Sequence, residues 1–201
     1  MATIGLDKLY YAKITEDANG IETYGTPVVL AKAMTAGISV DTNGASLFAD
    51  DGTSEYVSEF KSGTLSLGVD NIGESVAADL TGTVIDANGA IVSTAEDGGD
   101  PVAVGFRAKL SNGKYRYYWL YRVIFGIPAT NLTTKGDSIT FSTPTIEGTI
   151  MQRNKPDAFN RHPWRVELTD DGSQERKGAI TNWFSQVYEP VASGNVVGGN
   201  S

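Results

Sequence analysis

Alternating apolar and polar residues predict a β-hairpin in the middle of the chain. Apolar residues occupy every second position over 102–110, and the alternation resumes over 115–123. Between the two runs lies Asn112-Gly113, a pair that favours a type I′ turn because both central positions of that turn need a positive φ. The second run is unusually aromatic. Tyr118 breaks its alternation, which predicts apolar contacts on both faces of that strand.

The same pattern predicts further strands and two helices. Segments with alternation or β-branched content, bounded by Gly, Asn, Asp or Pro, are 6–14, 26–30, 64–69, 138–150 and 164–168. Pro144 predicts a break within the fourth segment, since proline cannot donate to a strand ladder. A short helix is expected between an N-cap at Asn71 and a stop at Gly82. A second helix, from Ser173 to about Val187, is indicated by apolar residues at helical spacing.

One stretch, 40–56, shows neither the alternation of a strand nor the spacing of a helix and is interpreted as a long loop. A loop of this length is uncommon in a compact domain and tends to be functional. Leu47 and Phe48 lie within it and would be poorly placed if they simply faced water. The segment is therefore the first candidate for a contact surface.

Composition narrows the class of protein. The 201 residues are 40% hydrophobic and include 23 glycines, which is typical of one mainly β domain, here 1–191, followed by a mobile tail 192–201. No run of 18 apolar residues predicts a membrane span, and the N-terminus has no signal-peptide pattern, so we expect synthesis in a cytoplasm. The net charge of −8 disfavours tight nucleic-acid binding.

The sequence contains few of the residues and motifs that catalysis or metal binding requires. The chain has no cysteine and a single histidine, His162, with no motif to supply a nucleophile or an orienting acid, so a surface or inter-subunit histidine is the favoured interpretation. The acidic clusters do not match a calcium loop, and no glycine motif matches a phosphate-binding loop. The acidic clusters are 50–51, 96–100 and 170–171. We therefore expect no enzyme, no cofactor and no metal.

The aromatic strand has two interpretations. Aromatic residues interleaved with basic ones can stack single-stranded nucleic acid. The alternative, favoured by the acidic net charge, is a sandwich or barrel core with the basic residues on the solvent face or at a subunit contact. The basic residues in question are Arg107, Lys109, Lys114, Arg116 and Arg122.

Five segments resemble the major tail proteins of siphophages that infect Gram-positive hosts. The first is Ile-Gly-Leu-Asp-Lys-Leu-Tyr-Tyr-Ala at 4–12, and the second is Gly-Ile-Glu-Thr-Tyr-Gly at 20–25. The most specific block covers 103–148 and includes Tyr-Trp-Leu-Tyr-Arg-Val-Ile-Phe at 118–125 and Thr-Lys-Gly-Asp-Ser-Ile-Thr-Phe at 134–141. Trp-Phe-Ser-Gln-Val at 183–187 resembles the end of that family.

The resemblance implies a tail-tube protein. The expected fold is an antiparallel β-sandwich or barrel with one or two short helices and a long stacking loop. Six subunits would form a ring, and rings would stack into the tube through which double-stranded DNA leaves the virion. The implied partners are other copies of the chain and the tape-measure, tail-terminator and distal tail proteins, without a membrane. The implied place is the virion tail, assembled in the cytoplasm of the bacterial host.

Within this hypothesis the segment 40–56 is the candidate ring-stacking loop. Its candidate residues are Leu47, Phe48, Asp50, Asp51 and Tyr56. This loop and the tail 192–201 are expected to be mobile in the monomer and to order on stacking. An acidic lumen would guide DNA without binding it, since screening at about 0.15 M salt acts over about 8 Å.

Two other functions remain open. One is a β-sandwich module that binds carbohydrate or a cell-surface ligand, which exposure of Tyr117 and Trp119 would favour and their burial would disfavour. The other is a different virion protein, such as a tail terminator, which would form closed oligomers and no filaments.

Overall fold

The computed structural model describes residues 2–49, 52–128 and 144–192, and these are mainly antiparallel β-structure. The strands are β1 (Thr3–Glu16), β2 (Glu22–Tyr24), β3 (Val28–Ala31), β4 (Ala33–Ala49), β5 (Gly52–Val69), β6 (Val84–Ile85), β7 (Ile91–Val92), β8 (Val102–Leu110), β9 (Tyr115–Phe125), β10 (Thr145–Met151) and β11 (Arg165–Thr169). The helices are α1 (Glu74–Thr81) and α2 (Gln174–Thr181). Neither helix is long and apolar enough to cross a membrane. The predicted mainly β class is confirmed.

Nine strands form one sheet around β9. The strand order is β2-β1-β8-β9-β10-β5-β4, with β3 also paired to β1 and β11 also paired to β9. One edge of β9 pairs with β8, and its other edge is shared by β11, opposite Arg116–Leu120, and β10, opposite Arg122–Phe125. The strands β6 and β7 pair only with each other within the described residues.

The sheet curls, so that β1 and β4 come into contact although they lie near opposite ends of the strand order. Inside the curl lies the larger core, which includes Leu9, Leu65, Val104 and Leu120. On the outer face a second cluster forms around Trp119 and is covered by the chain after α2. Because β9 contributes to both clusters, the prediction of apolar contacts on both its faces is confirmed.

Both helices differ from their predicted bounds. The N-cap of α1 is Gly73 rather than Asn71, whereas its end at Gly82, with φ of 74°, is as predicted. The second helix stops at Thr181 instead of continuing to Val187. Beyond it, the backbone carbonyl of Trp183 accepts a hydrogen bond of 2.9 Å from the indole of Trp119, and the Trp183 ring is 1% exposed. This packing onto the sheet replaces a further helical turn.

Every strand predicted within the described residues is present and borders a core. β10 begins directly after Pro144, and the other part of the segment predicted there, 138–143, lies outside the described residues. Four strands were not predicted: β2, β4, β6 and β7. Of the predicted tail 192–201, only Ala192 belongs to the described residues.

Candidate assembly surfaces

The segment predicted as a loop, 40–56, is the end of a long β-hairpin, so the loop prediction is wrong. β4 and β5 pair from Ala33 opposite Val69 to Ala49 opposite Gly52. β10 covers β5 only between Gly63 and Gly68. Beyond that point β4 and β5 pair only with each other in the described part of the chain. We call this two-stranded extension, residues 42–49 and 52–62, the arm.

The arm is long. At about 3.4 Å per residue its eight β4 positions reach about 27 Å. Near its base the side chains of Thr42 and Asn43 on β4 and of Ser58 and Glu59 on β5 are exposed, and successive residues of a strand point to opposite faces. Where both faces are exposed, the sequence has no reason to alternate, and this part of the pattern resembles a loop.

Three of the five candidate stacking residues, Leu47, Phe48 and Tyr56, lie toward the far end of the arm. Leu47 lies opposite Glu55, Ser46 lies opposite Tyr56, and Phe48 lies opposite Thr53. Their side chains are outside what the structure describes. Asp50 and Asp51, between the two strands, lie outside the described residues altogether.

The base of the arm is fixed by an aromatic stack and a close backbone approach. The rings of Phe60 and Trp164 lie 4.6 Å apart and are nearly parallel, at 5°. A Cβ at Gly63 would lie 2.8 Å from the Ser39 carbonyl oxygen, so only glycine allows β4 this close. The arm therefore leaves the sheet at a defined point.

The aromatic strand β9 does not form an exposed stacking platform. Trp119 is fully buried and Tyr117 is 6% exposed. The chain after α2 covers them: Phe184 and Trp183 contact these rings, with centroid distances between 5.8 and 6.2 Å. The interpretation of this strand as core is thus the one that the structure supports.

Most basic residues near β9 are held by partners in the fold. Arg107 donates two hydrogen bonds of 2.7 Å to the carboxylate of Asp7, which raise its pKa above the ordinary value although burial acts against the charge. Arg116 donates to the Thr169 hydroxyl at 3.0 Å. Lys109 is exposed and Lys114 is half-buried.

A buried ionic cluster ties the β1–β2 hairpin to the rest of the sheet. Glu22 has a fully buried side chain that pairs with Arg122, and Arg122 also donates to Glu16 at 2.7 Å. Burial acts to lower the pKa of Arg122, and its hydrogen bonds with Glu16 and Glu22 outweigh that effect, so the pKa is raised. The second carboxylate oxygen of Glu22 accepts the amide of Asn154 at 3.1 Å.

A second ion pair, close to this cluster, holds the segment that follows α2. Arg153, 1% exposed, donates to Glu189 at 2.8 Å and stacks over Tyr121 with 4.4 Å to the ring centroid. Burial raises the pKa of the Tyr121 hydroxyl, which donates to the Tyr188 carbonyl at 2.8 Å. These contacts fix the segment after α2 against β9, which keeps the aromatic cluster covered.

His162 and residues of two acidic clusters, 96–100 and 170–171, have structural partners; the third cluster, 50–51, lies outside the described residues. The Nδ1 atom of His162 lies 3.1 Å from the Arg153 carbonyl oxygen, and the residue is exposed. Asp97 accepts hydrogen bonds from Thr94, and Asp170 accepts the Gly172 amide. Across 2–49, 52–128 and 144–192, no three His, Asp or Glu residues are grouped as metal ligands.

Comparison of the chain with models of known protein families and with curated protein sequences finds no match.

Proposed function

We propose that this chain is a tail-tube protein of a siphophage: hexameric rings of it stack into the tube through which the phage DNA leaves the virion. The observation that carries the proposal is the arm. A two-stranded ribbon on its own is marginally stable in water, and its open edges are templates for pairing with another chain. A subunit that projects such a ribbon about 27 Å from its sheet is suited to contact its neighbours.

The fold has the polarity that a filament requires. Contacts between different surfaces of identical subunits form rings when the rotation closes and filaments when it does not. In this proposal, the arm of one subunit and the surface that it contacts on the next subunit are such a pair. The number six and the DNA channel come from the resemblance of the sequence.

The charge of the chain is compatible with a channel for DNA. The net charge is −8, and several of the cations near β9 are paired with carboxylates. At a physiological ionic strength the repulsion of phosphates extends over about 8 Å. DNA can then pass without being retained.

Burial of the aromatic residues disfavours a ligand-binding module. Carbohydrate-binding surfaces need exposed rings, whereas Trp119 is 0% and Tyr117 6% exposed. These rings hold the segment after α2 instead.

The test is electron microscopy of negatively stained protein over a concentration series, alone and with a tape-measure initiator. Tubes are expected. Only monomers under every condition would overturn the proposal, and closed rings that never stack would favour a tail terminator.

A shortened variant tests the part played by the arm. Replacing residues 43–59 with Asn-Gly joins Thr42 to its cross-strand partner Phe60 through a two-residue turn. This variant should keep the thermal unfolding midpoint and the tryptophan fluorescence of the parent and form no tubes. Tubes from the folded variant would show that the arm is not an assembly contact.

A further inference from the structure

The β6–β7 hairpin is apolar on both faces and lies outside the main sheet. Val84 pairs with Val92 and Ile85 with Ile91, and paired residues share a face while successive residues alternate. The four side chains are 65%, 37%, 42% and 47% exposed in the order Val84, Ile85, Ile91 and Val92. Contiguous exposed apolar surface on a soluble domain marks an interaction site.

The two faces differ in their surroundings. Ile85 lines a gap together with Asn71–Ser75 at the start of α1. The Val84–Val92 face is the more exposed of the two and is available for docking.

The hairpin is held rigid by its turn. One carboxylate oxygen of Asp86 accepts the amides of Asn88 and Ala90, both at 2.8 Å. An element already fixed in its bound shape loses less conformational entropy when it binds.

A groove with a largely apolar lining, the β1–β4 groove, lies where β1 and β4 meet. It has a volume of about 500 Å³; its apolar lining includes Leu6, Met34, Ile38, Phe106 and Tyr118, and its polar lining is Thr3, Thr35 and Arg165. Pockets of about 300–1,000 Å³ commonly bind ligands. Leu6, Ile38 and Tyr118 are half-buried residues packed against the core, so the core is open to solvent here.

The hairpin and the groove are also complementary in charge. Residues 70–100 contain seven Asp or Glu and no Lys or Arg. The groove has Arg165 at its side, and Lys109 lies beside Gly5, a second groove residue. Glu167 lies 3.7 Å from Arg165 and shares part of its charge.

We propose that the β6–β7 hairpin of one subunit docks through its Val84–Val92 face in the β1–β4 groove of a second copy of this chain. The hairpin follows α1, and the groove is lined by residues of β1, β4, β8, β9 and β11, so the two sites are different surfaces of the subunit. A contact between two different surfaces of identical subunits propagates a filament when its rotation does not close into a ring. This inference rests on the proposed function, because it names the surfaces by which successive subunits meet.

The absence of cysteine makes a cross-linking test direct. Val92→Cys and Met34→Cys introduce one thiol on each proposed surface, and Met34 is 55% exposed, so both changes leave the core intact. A disulfide needs Cβ atoms about 3.5–4.5 Å apart. The matched control joins Met34→Cys with Ile21→Cys, since Ile21 is 44% exposed, close to the 47% of Val92.

After mild oxidation of the assembled protein, the first variant should give a ladder of covalent oligomers on non-reducing gels, and the control should not. Tubes seen by microscopy without a ladder, or with equal ladders in both variants, would overturn this contact and leave the proposed function standing. Protein that remains monomeric under every condition would overturn both.

A second pair of variants measures the loss of assembly. Val84→Ser with Val92→Ser should abolish tubes while preserving the thermal midpoint, whereas Ile21→Ser should leave both unchanged. Tubes from the hairpin variant would contradict the docking.

Discussion

Two hairpins of this protein are closed by the same tetrapeptide but differ in the burial of their strand side chains. Asp-Ala-Asn-Gly occupies 17–20 between β1 and β2 and 86–89 between β6 and β7. In both, one oxygen of the aspartate accepts the amides two and four residues further on, at 2.8–2.9 Å. The first hairpin buries Glu22 completely, whereas the second leaves its four strand side chains exposed.

The difference comes from the strands and not from the turn. β1 continues for 14 residues and pairs with β8, so the first hairpin is carried into the sheet. β6 and β7 have two residues each and pair only with each other in the described part of the chain. Turn chemistry thus sets local register, and long-range pairing decides what is buried.

A third turn of the same geometry has no strands around it. Asp157 accepts the amides of Phe159 and Arg161, each at 2.9 Å, and Asn160, with φ of 60°, takes the place of the glycine. The turn therefore forms without a hairpin, as expected if its own hydrogen bonds suffice.

The largest effect is expected from the buried charge of the first hairpin. Glu22→Gln removes the fully buried partner of Arg122, and breaking a buried ion pair costs about 3–5 kcal/mol. We expect the free energy of unfolding to fall by about 3 kcal/mol in urea titrations.

Its matched control is Glu16→Gln, which removes the other partner of the same arginine. Glu16 has a side chain 38% exposed, and exposed pairs contribute about 0–1 kcal/mol. Equal losses in the two variants would contradict the distinction between buried and exposed partners.

A smaller difference in stability is expected between the two hairpins when the glycine of each turn is replaced by alanine. Gly20 and Gly89 have φ of 75° and 87°, and an added Cβ at either meets nothing within 4 Å, so alanine costs only backbone strain of about 1–2 kcal/mol. Gly20→Ala should lower the global free energy of unfolding by that amount. Gly89→Ala should increase amide exchange within β6 and β7 and leave the urea midpoint unchanged. An equal fall in the midpoint for both would mean that the second hairpin unfolds with the core.

Every strand predicted from the sequence borders a core, but β2 and β4 were missed although Tyr24 and Ile38 pack against a core. β8 and β9 alternate because the two faces of each strand have different surroundings. Near the base of the arm there is no alternation, because the neighbouring side chains of Thr42 and Asn43, and those of Ser58 and Glu59, are all exposed. Asn43-Gly44, which has the composition of a turn, lies within β4.

The candidate assembly surfaces could be predicted only in part from the sequence. The segment 40–56 was recognised as unusual, but its residues show no period-2 alternation, so the pattern did not indicate that they pair as a hairpin. β6 and β7 are too short to show a period. The two copies of Asp-Ala-Asn-Gly were the signal that could have located both turns.

The turn of the second hairpin should respond to acid. Hydrogen bonds from the amides of Ala90 and Asn88 lower the pKa of the Asp86 carboxyl below its ordinary value. A group with a depressed folded pKa contributes stability above its unfolded pKa and loses it as the pH falls through the folded pKa. The hairpin should therefore stay closed at neutral pH and open only in strong acid.

Amide exchange at Asn88 and Ala90, followed against pH by NMR together with the Asp86 carboxyl resonance, measures this response. Asp86→Asn should remove the pH dependence of the opening. A titration midpoint at or above that of an unstructured aspartate would contradict the hydrogen-bonded turn.

The smallest effect is expected in the third turn and sharpens the comparison of the other two. Asn160 already tolerates the left-handed conformation, since its short polar side chain adopts positive φ more readily than most residues. Asn160→Gly relieves that strain but adds conformational entropy to the unfolded chain, so the free energy of unfolding should change by less than about 0.5 kcal/mol. Urea unfolding of this variant beside Gly20→Ala decides whether a positive φ alone governs the turn. A loss as large as that of Gly20→Ala would mean that the Asn160 side chain, and not its backbone conformation, holds the third turn.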